Sequence, residues 1–331
     1  MPEFAPLVSA LLPVRNGGDH LLAAVESLAR QDYPHLEILL VDDHSHDGAP
    51  QRAAALDPRV RLLPSPGRGI VAALNAGAAA ARGEVLARMD ADDIAHPRRI
   101  GTQVALLAAR PELGIVGAQV EAAGGAGGWR RYVDWINGLT EPDHIAREIF
   151  VESPIPHPTA VMRREVFRRL GGYRDAPWPE DYDLWLRAWA AGVAMAKPEG
   201  VLLTWRDHPG RLSRASDRYG ARAFNRARAH FLARTLLARR PAVVWGAGPT
   251  GRDLADALMD EGVEVSAFID IHPRRVGGTK RGRPVHGPEF ALRAAPALVV
   301  AAVGTSGARE EIRAWCAAHG LAEGTDFIFA A

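Results

Sequence analysis

Five short apolar runs punctuate the first 120 residues, at 7–12, 36–41, 60–63, 85–89 and 113–116, with stretches of helical period between them. This alternation constrains the fold more than any other feature. A run of consecutive apolar residues puts apolar side chains on both faces of a strand, so both faces need cover, and strands separated by helices join in parallel. The first interval shows the unit. Leu21, Leu22, Val25 and Leu28 fall on one helical face, Asp19 is placed to cap that helix, and the next run begins at Leu36. Helices are also expected over 70–81 and over 100–109, the latter ended by Pro111. At 331 residues the chain has room for two domains. After Pro241 the alternation restarts with a strand at 242–245, a Gly-rich turn, a helix, and strands at 265–269 and 298–303. The expected class is α/β in both parts.

Charge excludes some functions. Lys plus Arg number 40 against 39 Asp plus Glu, so a formal net charge of +1 gives no general field for gripping nucleic acid, and no such partner is expected. Any anion site has to be built locally. The chain has no apolar run long enough to span a bilayer and no basic-then-apolar leader, and Cys316 is its one cysteine, so the expected place is the cytoplasm. A basic helix is expected over 217–240. With Arg214, its Arg218, Arg222 and Arg226 stand four apart, which makes either a solvated salt-bridging face or a peripheral foothold at the inner face of a membrane. Residues 121–160 break the alternation. Gly124, Gly125, Gly127 and Gly128 beside Trp129, Tyr132 and Trp135 read as a loop next to a binding surface or as a plain surface connection.

Chemistry enters through carboxylates. Asp90, Asp92 and Asp93 follow the run that ends at Met89, and ligands of open α/β sheets bind beyond the carboxyl ends of strands. Clustered carboxylates suit Mg²⁺ or Mn²⁺, with substrate phosphates completing the shell, and they also make ordinary Asp-rich turns. Asp42 and Asp43 follow the run that ends at Val41. An Asp there can accept the imide N–H of a uracil or thymine base, or shape a turn with Ser45 and Asp47. Glu180 and Asp181 open a helix over 180–191, where they complement the helix dipole or supply a general base for an attacking hydroxyl.

In order and context, four segments resemble the family 2 glycosyltransferases, whose fold is GT-A. They are Leu12-Pro13-Val14-Arg15-Asn16, Val41-Asp42-Asp43-His44-Ser45, Asn75-Ala76-Gly77 ahead of Met89-Asp90-Ala91-Asp92-Asp93, and Glu180-Asp181 with Trp185. The resemblance covers residues 5–215 and implies an inverting, metal-dependent transferase. It would move a sugar from a nucleoside diphosphate sugar, expected to be UDP-linked, to a hydroxyl of a saccharide or lipid-linked acceptor in cell-surface polysaccharide or glycolipid synthesis. By position, Pro13, Arg15 and Asp42 or Asp43 match the segments around base and ribose. Asp90 and Asp92 match the D-x-D motif that holds Mn²⁺ or Mg²⁺ and the diphosphate, and Asp93 adjoins them. Asp181 matches the catalytic base, with Glu180 beside it. Arg68 and Asn75 are assigned to the nucleotide-sugar site. His208, in Trp205-Arg206-Asp207-His208-Pro209, resembles a late loop whose imidazole can ligate the metal, and Arg211 can grip phosphate or face water. His157 sits in a segment ahead of the acceptor region and is otherwise a hydrogen-bonded structural residue. Val14 and Arg15 replace the aromatic that usually follows the first Pro, so base stacking there lacks its residue.

Trp245-Gly246-Ala247-Gly248-Pro249-Thr250-Gly251 sits between a strand and a helix, as a G-x-G-x-x-G fingerprint requires, and Asp270 ends the next strand where an acid would meet a ribose hydroxyl. The segment 241–331 is too short for a complete dinucleotide fold. It resembles the small Rossmann-type nucleotide-sugar-binding modules found ahead of sugar acyltransferases. Nucleotide binding through Gly246, Gly248, Gly251 and Asp270 and a scaffold role both stay open. The expected organisation is a GT-A domain over 1–215, a basic connecting helix over 216–240 and a small Rossmann-like α/β domain over 241–331. Two other functions fit the same chain: an NAD(P)-dependent oxidoreductase working through the last domain, and a non-catalytic saccharide-recognition protein.

Overall fold

The computed structural model describes residues 5–331 except Ala126 and Pro209, in two compact units. The first takes in the chain up to Ala146, then Pro154–Ala176 and Asp183–Ala215; the second takes in Arg147–Ser153, Pro177–Tyr182 and Ser216–Ala331.

The strands of the first unit are β1 (Val8–Val14), β2 (Leu36–Asp42), β3 (Val60–Pro64), β4 (Val85–Arg88), β5 (Ile94–Ala95), β6 (Leu113–Val116), β7 (Gln119–Ala123), β8 (Val161–Arg163), β9 (Ala194–Ala196) and β10 (Val201–Arg206). Its larger sheet has the order β3-β2-β1-β4-β8-β6-β9 and its smaller one the order β5-β10-β7. From β3 to β4 the pairing is parallel, as expected for strands that are apolar on both faces. β8 is the antiparallel insertion between β4 and β6. The helix Gly18–Ala29 buries Leu21, Ala24, Val25 and Leu28, and these pack with β1 and β2 in one apolar core. Helix Ile70–Ala80 lies close to the sheet because Gly77 faces it. A Cβ at that position would stand 3.1 Å from Val41 and 3.3 Å from Leu11 side-chain carbons. β1 lies between β2 and β4, so the connections leave it in opposite directions and open a crevice at the strands' carboxyl ends.

Three local expectations are corrected. Asp19 does not cap its helix. The N-cap is Gly17, with no side-chain cap, and the Gly18 N–H donates instead to Asp47 at 2.9 Å. Residues 121–160 are not one connection, for they form helices Gly127–Asn137 and Pro142–Glu148. Trp129 and Tyr132 on the first of these pack on Trp205, at ring distances of 4.4 and 6.2 Å. The basic stretch is not one helix either. It is divided among Leu212–Ala215, a 3₁₀ turn at Asp217–Tyr219 and helix Ala221–Arg234, so Arg214, Arg218, Arg222 and Arg226 form no continuous stripe. Arg214 pairs with Asp207, Arg218 donates to the Trp178 carbonyl at 2.9 Å, and Arg222 and Arg226 are exposed.

The second unit contains β11 (Ala242–Trp245), β12 (Val265–Ile269), β13 (Thr279–Lys280), β14 (Arg283–His286), β15 (Leu298–Ala301) and β16 (Phe327–Phe329), in the order β13-β14-β12-β11-β15-β16. All neighbours are parallel except the β13–β14 pair. Helix Pro249–Asp260 connects β11 to β12, and helix Ala308–Ala318 connects β15 to β16. Helix Ala221–Arg234 buries Ala227, Phe231 and Leu232 and packs against Pro249–Asp260. Among the described residues no helix is long and apolar enough to cross a membrane.

Candidate active site

In the first unit, the carboxyl ends of β1, β2 and β4 gather most of the residues singled out by sequence. The turns after β1 and β2 are tied together: Asn16 N–H donates to Ser45 Oγ at 2.9 Å, His46 N–H donates to Asn16 Oδ1 at 2.8 Å, and Asp43 N–H donates to the Val14 carbonyl at 2.7 Å. Asp42 shapes the turn by accepting the Ser45 N–H at 2.9 Å. Asp43 is different. It is buried, one oxygen accepts the Gly69 N–H at 3.0 Å, and the other, Oδ1, has no partner among the described residues. Pro13 is half-buried at the end of β1, and Arg15 and Arg68 are exposed on flanking turns. The Asn75 side chain is engaged with the chain itself. It donates to the Tyr173 carbonyl at 2.9 Å and accepts the Tyr173 N–H at 3.0 Å.

Asp90, Asp92 and Asp93 converge, with one oxygen from each lying within 4.8 Å of the others. The Asp93 carboxylate is fully buried. Its Oδ1 accepts the Arg206 N–H at 2.8 Å, which joins the turn to the end of β10, and its Oδ2 has no partner among the described residues. Burial raises the Asp90 carboxyl above the usual range. Asp92 adds to that shift, and Arg88 and Arg211 oppose it. Burial raises Asp93 well above that range, with Asp90 and Asp92 adding to the effect. An orphaned carboxylate oxygen beside two more acid groups is the donor set of a hard divalent cation, so the residues fit Mg²⁺ or Mn²⁺. His208 Nε2 lies 2.8 Å from Asp92 Oδ2, and its ring stacks on His20 at 5.6 Å. The Arg211 guanidinium lies over the rings of Trp205 and Trp129, at 5.0 and 5.4 Å, and donates to the Arg206 carbonyl at 2.7 Å.

Arg88, paired with Asp90 and buried at the end of β4, was not singled out by sequence. A cation ending an otherwise apolar strand was the available signal. His157 is buried with Nε2 2.9 Å from the Tyr173 hydroxyl. Burial, aided by Arg88, holds its imidazole well below its usual range, so it is neutral.

Glu180 and Asp181 belong to the second unit. Glu180 is buried and accepts the Tyr219 hydroxyl at 2.8 Å. Asp181 is half-buried and accepts the Ser153 hydroxyl at 3.4 Å. In the same unit Asp270 is buried at the end of β12 and takes three donors from its own chain: the Ala247 N–H at 3.0 Å, the His272 N–H at 2.8 Å and Arg275 at 2.9 Å. These bonds hold its carboxyl below the usual range against the opposing effect of burial.

Glycosyl transferase family 2 matches residues 9–171, which include the Asp42–Asp43 pair and all three clustered aspartates. EpsE of Bacillus subtilis (strain 168), named as a glycosyltransferase, is 33% identical over 195 residues, 56% of this chain and 68% of EpsE. The chain belongs to glycosyl transferase family 2. The amylovoran biosynthesis glycosyltransferase AmsE of Erwinia amylovora is 32% identical over 190 residues, 56% of this chain and 70% of AmsE. Two solved structures share the fold. S. aureus TarS 1-349, in complex with UDP-GlcNAc, aligns with a TM-score of 0.57 at 17% identity, over 70% of this chain and 71% of that one. The mannosyltransferase PcManGT from Pyrobaculum calidifontis, in complex with GDP-Man and Mn²⁺, aligns with a TM-score of 0.53 at 21% identity, over 79% and 74%. Glu180, Asp181 and His208 lie beyond the family 2 match.

Proposed function

We propose that this family 2 protein is an inverting transferase that uses a nucleoside diphosphate sugar, UDP-linked, and builds a cell-surface polysaccharide or glycolipid. The observation that carries the reading is the convergence of Asp90, Asp92 and Asp93 at the end of β4, with the buried Oδ2 of Asp93 unpartnered among the described residues. Asp90, Asp92 and Asp93 would hold Mn²⁺ or Mg²⁺, and His208, 2.8 Å from Asp92, would join them. Such a cation supplies positive charge to a diphosphate as it departs. Asp43 is the better candidate for base recognition, since its open Oδ1 can accept an imide N–H, while Asp42 is engaged in its turn. Arg211, its guanidinium held over two indoles, is the phosphate clamp. Of the two helix-opening acids, Asp181 is the general base, because Glu180 is buried against Tyr219. Asp181 takes the acceptor hydroxyl's proton, the hydroxyl oxygen bonds to the anomeric carbon, and the bond from that carbon to the diphosphate breaks with inversion. AmsE, an amylovoran biosynthesis glycosyltransferase, supports the polysaccharide setting.

The test is release of nucleoside diphosphate from UDP-sugars by the full chain, with Mn²⁺ and with chelator. Turnover is expected with Mn²⁺ and should vanish in Asp92→Asn at unchanged melting temperature. Equal turnover by that variant would reject the reading.

A further inference from the structure

The second unit holds a cavity of about 570 Å³, at the carboxyl ends of strands whose order reverses between β11 and β15. Its size is that of a small-molecule site. The glycines around it differ in purpose. Gly246 has a φ of +129°, and a Cβ there would stand 2.5 Å from the Ala302 carbonyl oxygen; a Cβ on Gly251 would stand 1.8 Å from the Gly246 oxygen. The chain's own packing requires both. Gly248 is not required in that way. Its backbone is extended at φ −77°, ψ −175°, and the nearest atom to a Cβ there is Arg275 Nη1 at 3.7 Å. What a side chain at 248 would fill is the cavity.

Charge is distributed unevenly around this space. Helix Pro249–Asp260 starts at Gly248 with no side-chain cap and no acidic residue in its first turn, so its positive end faces the cavity; Arg275 stands beside it, and the buried Asp270 takes one bond from Arg275 and one from the Ala247 N–H. Helix Ala308–Ala318 also starts at the cavity, but Glu310 and Glu311 occupy its first turn and Glu311 lines the space. An anion is thereby directed to the Gly248 side and hydroxyl groups to the Glu311 side. Apolar surface completes the site. Ile271 lines the cavity while 73% exposed, and Trp245 and Trp315 line it edge to face at 5.3 Å.

We propose that this cavity is a second nucleotide site, distinct from the donor site assigned to the first unit, and that it binds a nucleoside diphosphate, free or carrying a sugar. The diphosphate lies against the backbone of Gly248 and Thr250 beside Arg275, the base rests on Ile271, and hydroxyls face Glu311. Asp270, already taking three donors from its own chain, offers little to the ribose diol of a dinucleotide. The donors for the phosphates are the backbone N–H groups at the helix start and the Arg275 guanidinium, which Asp270 engages through Nη1, and binding is expected without metal.

Calorimetric titration of the full chain in chelator separates this site from the first. UDP, ADP or a UDP-sugar is expected to bind at one site per chain without metal. Gly248→Val should weaken that binding by at least about tenfold at unchanged melting temperature, and Ile271→Ser should also weaken it. Asp92→Asn should leave it intact while abolishing the additional binding that Mn²⁺ brings. Tighter binding of UDP-sugar than of UDP would place the sugar by Trp315 and Glu311, and equal binding would identify the nucleoside diphosphate as the whole ligand. The proposal is overturned if no nucleotide binds without metal, if Gly248→Val binds as tightly as the parent, or if NAD⁺ is preferred to all three. None of these results depends on whether the first unit transfers sugar.

Discussion

Asp93 has one oxygen bonded to the Arg206 amide and another buried without a partner among the described residues, next to two more carboxylates. Burial and the neighbouring negative charge raise Asp93 and Asp90, so the folded chain holds these protons more tightly than the unfolded chain does. Their contribution to stability is therefore fully present below the ordinary carboxylate range and is lost as pH rises through the raised values. A divalent cation binds the ionised form and relieves the same repulsion. The rise in melting temperature on adding Mn²⁺ should accordingly be larger near about pH 7.5 than near about pH 5, and Asp93→Asn should flatten the difference. Melting curves at both pH values with and without Mn²⁺ check this, and a larger shift at the acidic value would contradict it. Asp43 yields a second prediction at this scale. Asp43→Ala should weaken UDP binding by about tenfold through loss of one acceptor, whereas Asp42→Ala should act mainly on the stability of its turn. Equilibrium binding to both variants distinguishes them.

Strand ends place these side chains, and a buried polar network sets the strand ends. Arg99, fully buried on helix Arg99–Ala109, donates to the Arg88 carbonyl at 2.5 Å and to Gln103 Oε1 at 3.1 Å; Gln103 Nε2 lies within 3.1 Å of the Val116, Gly117 and Thr159 carbonyls. Gln103→Leu would remove the donor that those carbonyls share and the acceptor of the Arg99 Nε–H, at a cost of about 2–3 kcal/mol. Denaturant unfolding should show that loss, along with slower transfer from a displaced Asp90 turn. Of the first sheet, β1, β2, β3, β4 and β6 were legible because strands covered on both faces are apolar throughout, whereas the three-residue β8 and β9 were too short to show a pattern; the acid groups were legible because strand ends in such sheets face the crevice. Helix Gly127–Asn137 was not legible. Its apolar residues at 129, 132, 133 and 136 have helical spacing, but four nearby glycines suggested a connection, and the ring packing on Trp205 that favours the helix is a contact distant in sequence. Asn75 and Glu180 show the same gap at single residues. Their partners, Tyr173 and Tyr219, lie far along the chain, and no local pattern announces them.

At the scale of the whole molecule, the division into units does not follow a single cut in the chain. Segments 147–153 and 177–182 belong with 216–331, and one buried acid shows why. Glu148 pairs with Arg309 at 3.3 Å and Arg313 at 2.6 Å, both on or beside the helix that joins β15 to β16. A chain ended at residue 240 loses both arginines and the helix that carries them, and with them the pairing of Glu148. Breaking a buried pair costs about 3–5 kcal/mol, reduced here because both guanidinium groups are partly exposed. Arg313→Ala should therefore cost about 2 kcal/mol in the full chain. The fragment 1–240 should lose more than this variant, since Arg309 and the apolar face buried by helix Ala221–Arg234 go with it. Denaturant unfolding of the three proteins orders them as full chain, Arg313→Ala, fragment. A fragment as stable as the full chain would show that the 147–153 segment does not depend on the C-terminal residues, and that the two parts of the sequence fold independently.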